Sequence, residues 1–166
     1  MTDRMVARAA GRGPATWALG GLFERLVGGN ETGGLIDASV VTQPAGIAPP
    51  LHVHTREAEA WYLLDGTLTY QAGEERVELE PGGFIFLPRG LPHAFRTTSA
   101  VRYLALALPG GVLEMYDEVG HTRAAAAAAR RRRHRRGDRA VDGRGPALRA
   151  AGGGPADRLR ARWARA

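Results

Sequence analysis

No cysteine occurs in the 166 residues. That excludes disulfides, thiolate metal sites and cysteine nucleophiles, so any metal must be held through nitrogen and oxygen. Long hydrophobic runs are missing as well. No stretch approaches the roughly 20 apolar residues of a membrane span, and the opening MTDRMVARAAGRGP has charge but no continuous apolar segment. These absences predict a soluble, unexported, cytoplasmic protein with no membrane partner. No internal repeat is present, and no helix-turn-helix pattern flanks the centre of the chain, which argues against a DNA-linked regulatory module. At this length one domain with tails is expected.

The net charge of +6 is unevenly placed. Residues 1–121 hold nine arginines against fourteen Asp and Glu, a net of −5, whereas residues 122–166 hold fourteen arginines against three Asp, a net of +11. The high pI therefore belongs to the tail and not to the body. Residues 121–166 run from six alanines into RRRRHRR and then into Gly, Pro, Ala and Arg. With few large apolar side chains they cannot offset their ordering entropy. Three readings fit this segment: a solvated disordered tail, a composition reflecting GC-rich codons or a shifted frame, and a nucleic-acid-binding arm. Alanine and arginine both favour helix, so residues 123–133 could be helical. Nucleic acid is otherwise not an expected partner. A truncation after Gly120 that kept full DNA affinity would remove the arm reading.

Residues 1–14 read as a disordered lead. From Ala15 to Gly120 the texture is one of short apolar runs bounded by Gly, Pro or Asp-Gly: ATWAL, LFERLV, LIDASVVTQ, HVH, EAWYLL, TLTYQA, ERVELE, FIFLP, HAFRTT and VRYLALAL. About ten short strands at this pitch predict an all-β sandwich or barrel. Asp65-Gly66 and Ala72-Gly73 read as hairpin turns. Val112, Met115, Tyr116 and Val119 recur at helical spacing, which predicts a short C-terminal helix, with His121 exposed or capping its end.

The chemistry concentrates in Gly46–Gly66. His52 and His54 are two residues apart, so an extended strand would turn both imidazoles to one face. Glu59 follows after a polar turn and opens the next strand. If the two strands pair, its carboxylate returns over the imidazoles. His93 follows a bend made by Pro88, Gly90 and Pro92. Period-2 parity sends Trp61 and Leu63 inward with Glu59, and Phe95 and Thr97 inward with His93. Trp61 and Phe95 are thus candidate walls of a substrate pocket, or else ordinary core.

These segments resemble the two motifs of the cupin superfamily. Gly46, His52, His54, Glu59 and Gly66 fill the first motif with every interval kept, and Gly82, Pro88, Gly90 and His93 fill the second. The second motif's closing Asn is here Thr97, a position that is not a metal ligand in the usual scheme. The likeness runs from about residue 13 to 119 and is greatest to the quercetin 2,3-dioxygenase-like branch. It implies a jelly-roll β-barrel with a short C-terminal helix. It also implies one divalent metal (Fe, Mn, Ni, Co, Cu or Zn) held by His52, His54, Glu59 and His93, with Glu59 doubling as catalytic base. Such a site suits a dioxygenase acting on a phenolic, flavonoid-like or polyketide small molecule that chelates the metal. The alternatives are an isomerase or cyclase that needs no oxygen, and a binding module without catalysis. By analogy with such barrels, a homodimer is expected.

Overall fold

The computed structural model describes residues 5–122. The first four residues and the tail from 123, on which the helix expected over 123–133 and the nucleic-acid reading fall, lie outside the described residues. Among those described, ten strands and one α-helix follow in order: β1 Ala15–Ala18, β2 Gly21–Val27, β3 Asp37–Gln43, β4 Ala58–Asp65, β5 Leu68–Ala72, β6 Glu75–Leu79, β7 Phe84–Leu87, β8 His93–Thr97, β9 Val101–Leu108, α1 Val112–Val119 and β10 His121–Thr122. A single 3-10 turn, Gly29–Glu31, sits between β2 and β3. Ahead of β1, the Arg8 guanidinium donates to the Leu26 carbonyl and to the Glu31 carboxylate.

The strands form two antiparallel sheets, one of seven strands ordered β10-β1-β2-β3-β9-β4-β7 and one of three ordered β6-β5-β8. Their inner faces meet in one core, in which Phe23, Val41, Trp61, Leu63, Leu87 and Tyr103 of the large sheet pack with Leu68, Tyr70, Leu79 and Phe95 of the small one. This is a jelly-roll β-barrel. Alternation sets which side chains enter it: Glu59, Trp61 and Leu63 are buried on β4 while Tyr62 and Leu64 are exposed, and His93, Phe95 and Thr97 are buried on β8 while Arg96 is exposed. At the centre Trp61 stacks on Tyr103 with ring centroids 4.1 Å apart and meets Phe95 edge-on at 4.8 Å. Such pairs add about 0.5–1.5 kcal/mol each beyond the area they bury.

Two local expectations change. HVH is not a regular strand: His52 makes an isolated bridge to His93, each backbone N–H donating to the other's carbonyl at 3.0 and 2.8 Å. Both edges of β4 are already taken, by β9 and β7, so this segment is tied to the first residue of β8 and the bend before it and does not pair with β4. Asp65-Gly66 is not a hairpin turn, because β4 and β5 lie in different sheets. It is the corner where the chain crosses between them. Gly73 does close a hairpin, since Ala72 pairs with Glu75.

α1 has Gly111 at its N-cap, which offers no side chain. Asp37, on β3 and 2% exposed, replaces it from across the fold. One carboxylate oxygen accepts from Gly29 N at 2.6 Å, and the other from Gly111 N at 2.8 Å and Leu113 N at 2.9 Å. Asp37→Ala strands all three donors and is expected to cost about 3–5 kcal/mol. Asn, which keeps one acceptor oxygen, should lose less. Urea denaturation of the two variants checks this, and equal midpoints with the parent would mean that the cap contributes nothing.

Candidate metal centre

The bridge between His52 and His93 places two imidazoles side by side at the start of β8, with ring centroids 4.4 Å apart. His54 joins them at 5.2 Å from His52 and 5.5 Å from His93. Its backbone carbonyl is held by Gly90 N–H at 2.8 Å, so the bend before β8 fixes both sides of the cluster. One candidate ligand atom from each of the three histidines lies within 4.8 Å of the others.

Second contacts set the tautomers. His52 Nδ1 lies 2.9 Å from the Pro50 carbonyl and His93 Nδ1 lies 2.9 Å from the Leu91 carbonyl. A carbonyl only accepts, so both Nδ1 atoms carry the proton, and in the neutral rings Nε2 presents its lone pair. His93 Nε2 is buried and has no hydrogen-bond partner. A stranded acceptor is costly unless something occupies the place it faces. A divalent cation accounts for it, and three neutral imidazoles are a donor set that such ions accept. The residues therefore fit the metal that the motifs imply.

Glu59, 7% exposed, comes from the first turn of the β4 pleat, opposite Leu87 and Ala107. Its Oε1 is 3.4 Å from His54 Nε2 and its Oε2 is 3.7 Å from His93 Nε2. Burial pushes this carboxyl up to about 7, the Glu57 charge adds to the rise, and a hydrogen bond from the Trp61 side chain opposes it. Burial likewise pushes His54 down to about 4, helped by His52 and His93. His93 is also lowered, chiefly by burial, against the Leu91 hydrogen bond. At neutral pH these two rings are uncharged, so the contacts to Glu59 are dipolar and not ion pairs. The centre keeps its imidazoles ready to donate and leaves the carboxyl poised near neutrality.

Beneath this centre, Trp61 and Phe95 are 7% and 9% exposed. Each follows its polar neighbour Glu59 or His93 by two residues and so forms the next layer inward. Tyr70 of β5 completes that layer, paired with Phe95 in register. It carried no motif, and only the register of β5 against β8 brings it to the site.

Thr97, where the second motif departs from Asn, has a definite task. Its hydroxyl donates to the Pro44 carbonyl at 2.8 Å and accepts from Ile47 N at 2.9 Å. The backbone adds Gly46 N to Thr97 O at 2.8 Å and Thr97 N to Ile47 O at 2.9 Å. Four bonds thus fasten the start of the histidine segment to β8. Thr97→Val removes the hydroxyl from a site only 1% exposed and is expected to cost about 1–3 kcal/mol. Thr97→Ser should recover most of that loss in thermal melts, and a Val variant as stable as its parent would show the bonds to be neutral.

Residues 38–107 match the family described as Cupin domain. Among curated proteins, the chain is 32% identical over 97 residues to quercetin 2,3-dioxygenase of Bacillus subtilis, covering 58% of this chain and 29% of that protein. It is 38% identical over 88 residues to the dimethylsulfoniopropionate lyase DddQ of Ruegeria pomeroyi, covering 52% and 43%. The chain thus spans less than half the length of either relative. Among solved structures, the cupin domain of Schizosaccharomyces pombe Cnp3 superposes with a TM-score of 0.54 at 19% identity, covering 67% of this chain and 78% of that one. Both motifs lie within the matched region, and the two-sheet barrel brings their histidines together: this chain carries a cupin domain over residues 38–107.

Proposed function

We propose that the protein is a metal-dependent dioxygenase similar in action to quercetin 2,3-dioxygenase, taking a small phenolic, flavonoid-like or polyketide substrate. The observation that supports it most is the convergence of three imidazoles and a carboxylate poised near neutrality above an aromatic layer. His52, His54, His93 and Glu59 would hold the ion. A divalent ion there supplies Lewis acidity and, where redox-active, an electron partner for dioxygen. Glu59 takes the proton from a substrate hydroxyl at a carboxylate oxygen, a role that requires the carboxylate to lie within hydrogen-bond reach of that hydroxyl. Trp61 and Phe95 face a flat ring and exclude water.

The likeness to DddQ favours a second reading, in which the metal acts only as a Lewis acid and no oxygen is consumed, as in a lyase, isomerase or cyclase. Oxygen uptake by the metal-loaded protein with a panel of small phenols separates the two. Uptake matching substrate loss, with no turnover under argon, is the expected result. Turnover of a phenol or of dimethylsulfoniopropionate under argon would replace the first reading with the second. With neither, the protein is a binding module.

A cytoplasmic location accords with the lack of cysteine, and no helix among the described residues is long and apolar enough to cross a membrane. A homodimer accords with the outer face of the large sheet, where Tyr62, Leu64, Phe84, Phe86 and Leu108 are each at least 40% exposed.

A further inference from the structure

Two interior tyrosines are almost fully buried, and they differ in one respect. Tyr103 OH donates to Gln43 Oε1 at 3.1 Å. Tyr70, 1% exposed, has a buried hydroxyl with no hydrogen-bond partner. A stranded hydroxyl in a core is a standing cost that phenylalanine would avoid. Its surroundings are those of the candidate centre. The Tyr70 ring lies 6.0 Å from the His93 ring, 5.2 Å from Trp61 and 5.7 Å from Phe95. One pair further along the same register, Ala72 faces His93. His93 Nε2 is the other stranded interior atom on this pair of strands. One unpaired acceptor and one unpaired hydroxyl therefore stand on adjacent layers of β5 and β8.

Resting on the functional reading above, we propose that Tyr70 is a ligand-positioning residue, its hydroxyl donating a hydrogen bond to an anionic oxygen of the molecule held at the histidine cluster. The ligand class is an oxygen chelator such as a catecholate or enolate, whose second oxygen accepts from the phenol. Burial, with the Glu59 carboxylate acting across the interior, raises Tyr70 well above the ordinary range of phenols. It therefore remains a donor and does not compete as an anion for the metal. Trp61 and Phe95 pack around its ring and fix the position of the phenolic oxygen, so the bond costs little ordering on binding.

The test compares wild type with Tyr70→Phe, both loaded with Co(II), using 4-nitrocatechol as the probe and its absorbance as the readout. Three results are expected. The metal-free variant melts a few degrees higher, because the stranded hydroxyl is gone. Co(II) affinity changes less than about twofold, and nitrocatechol affinity falls about 10–100-fold, as for a hydrogen bond to a charged group. Equal nitrocatechol affinity in the two proteins overturns the assignment of Tyr70 alone. A lower melting temperature also overturns it, by showing that the hydroxyl has a structural partner. A wild-type protein that takes up Co(II) but no nitrocatechol overturns the chelating-substrate reading, and the role of Tyr70 with it.

Discussion

Glu59→Gln is expected to stabilise the metal-free protein at pH 8 while removing most of its metal affinity. The carboxyl, ordinarily near 4.5, is pushed up to about 7 by burial first and by Glu57 second. In the fold its neutral form is therefore the favoured one. The stability it contributes is fully present below the unfolded value, is lost as pH rises from about 4.5 to about 7, and is absent above. By linkage that loss is about 3 kcal/mol. Glutamine is neutral throughout, so the two metal-free proteins should melt alike at pH 4 and diverge by pH 8 in favour of the variant. With a divalent metal the order reverses, because an anionic donor has become a neutral one; affinity should fall at least about 100-fold. Wild type should also release more protons per ion bound than Glu59→Gln at pH 6, and that difference should vanish by pH 8.5, read by calorimetry in two buffers. If the two proteins bound Co(II) or Ni(II) equally, Glu59 would not be a ligand.

The charge logic of this centre was not visible in spacing alone. HxH and a following Glu identify donors, but only burial makes His54 a persistently neutral base and Glu59 a reluctant anion. What could be read early was the parity: once Glu59 and His93 face inward, Trp61, Leu63, Phe95 and Thr97 must follow, since a pleated strand alternates. Pairings across long sequence separation were less legible. The histidine segment bonds to β8 across some forty residues and not to β4, the next strand in sequence, because β9 and β7 already take both edges of β4. Tyr70 reaches the site through a register that no local pattern announces, and Asp37 caps a helix more than seventy residues away. An acidic residue at an inward position of a strand was the available hint. The described fold thus follows from short-range alternation and turn chemistry, while the supports of the site come from contacts whose partners are far apart in the chain.

The Asp65-Gly66 corner carries the other large expected effect. Gly66 has φ +78°, in the left-handed region, and a Cβ built there would lie 1.9 Å from the Ala100 carbonyl oxygen and 2.8 Å from Ser99 Oγ. Backbone strain alone costs about 1–2 kcal/mol for an L residue. The carbonyl is backbone and cannot swing aside, because the turn is locked on both sides: Thr67 N donates to Ser99 Oγ at 2.8 Å, and Thr98 N donates to Thr67 O at 3.0 Å. Gly66→Ala must therefore pry β5 and the turn before β9 apart. The loss should exceed about 4 kcal/mol, a large share of the 5–15 typical of a single domain, and lower the melting temperature by about 15–25 °C. Gly46→Ala is the matched control: φ is +86°, but nothing lies within 4 Å of its Cβ, so only the strain remains and a fall of about 4–8 °C is expected. Similar melting points for the two variants would show that the approach to Ala100 is not tight. The corner matters to the site because it joins β4, which brings Glu59 and Trp61, to β5, which brings Tyr70. A displaced corner should therefore weaken metal binding in Gly66→Ala even where the barrel still folds, while Gly46→Ala should bind metal at its parent's affinity.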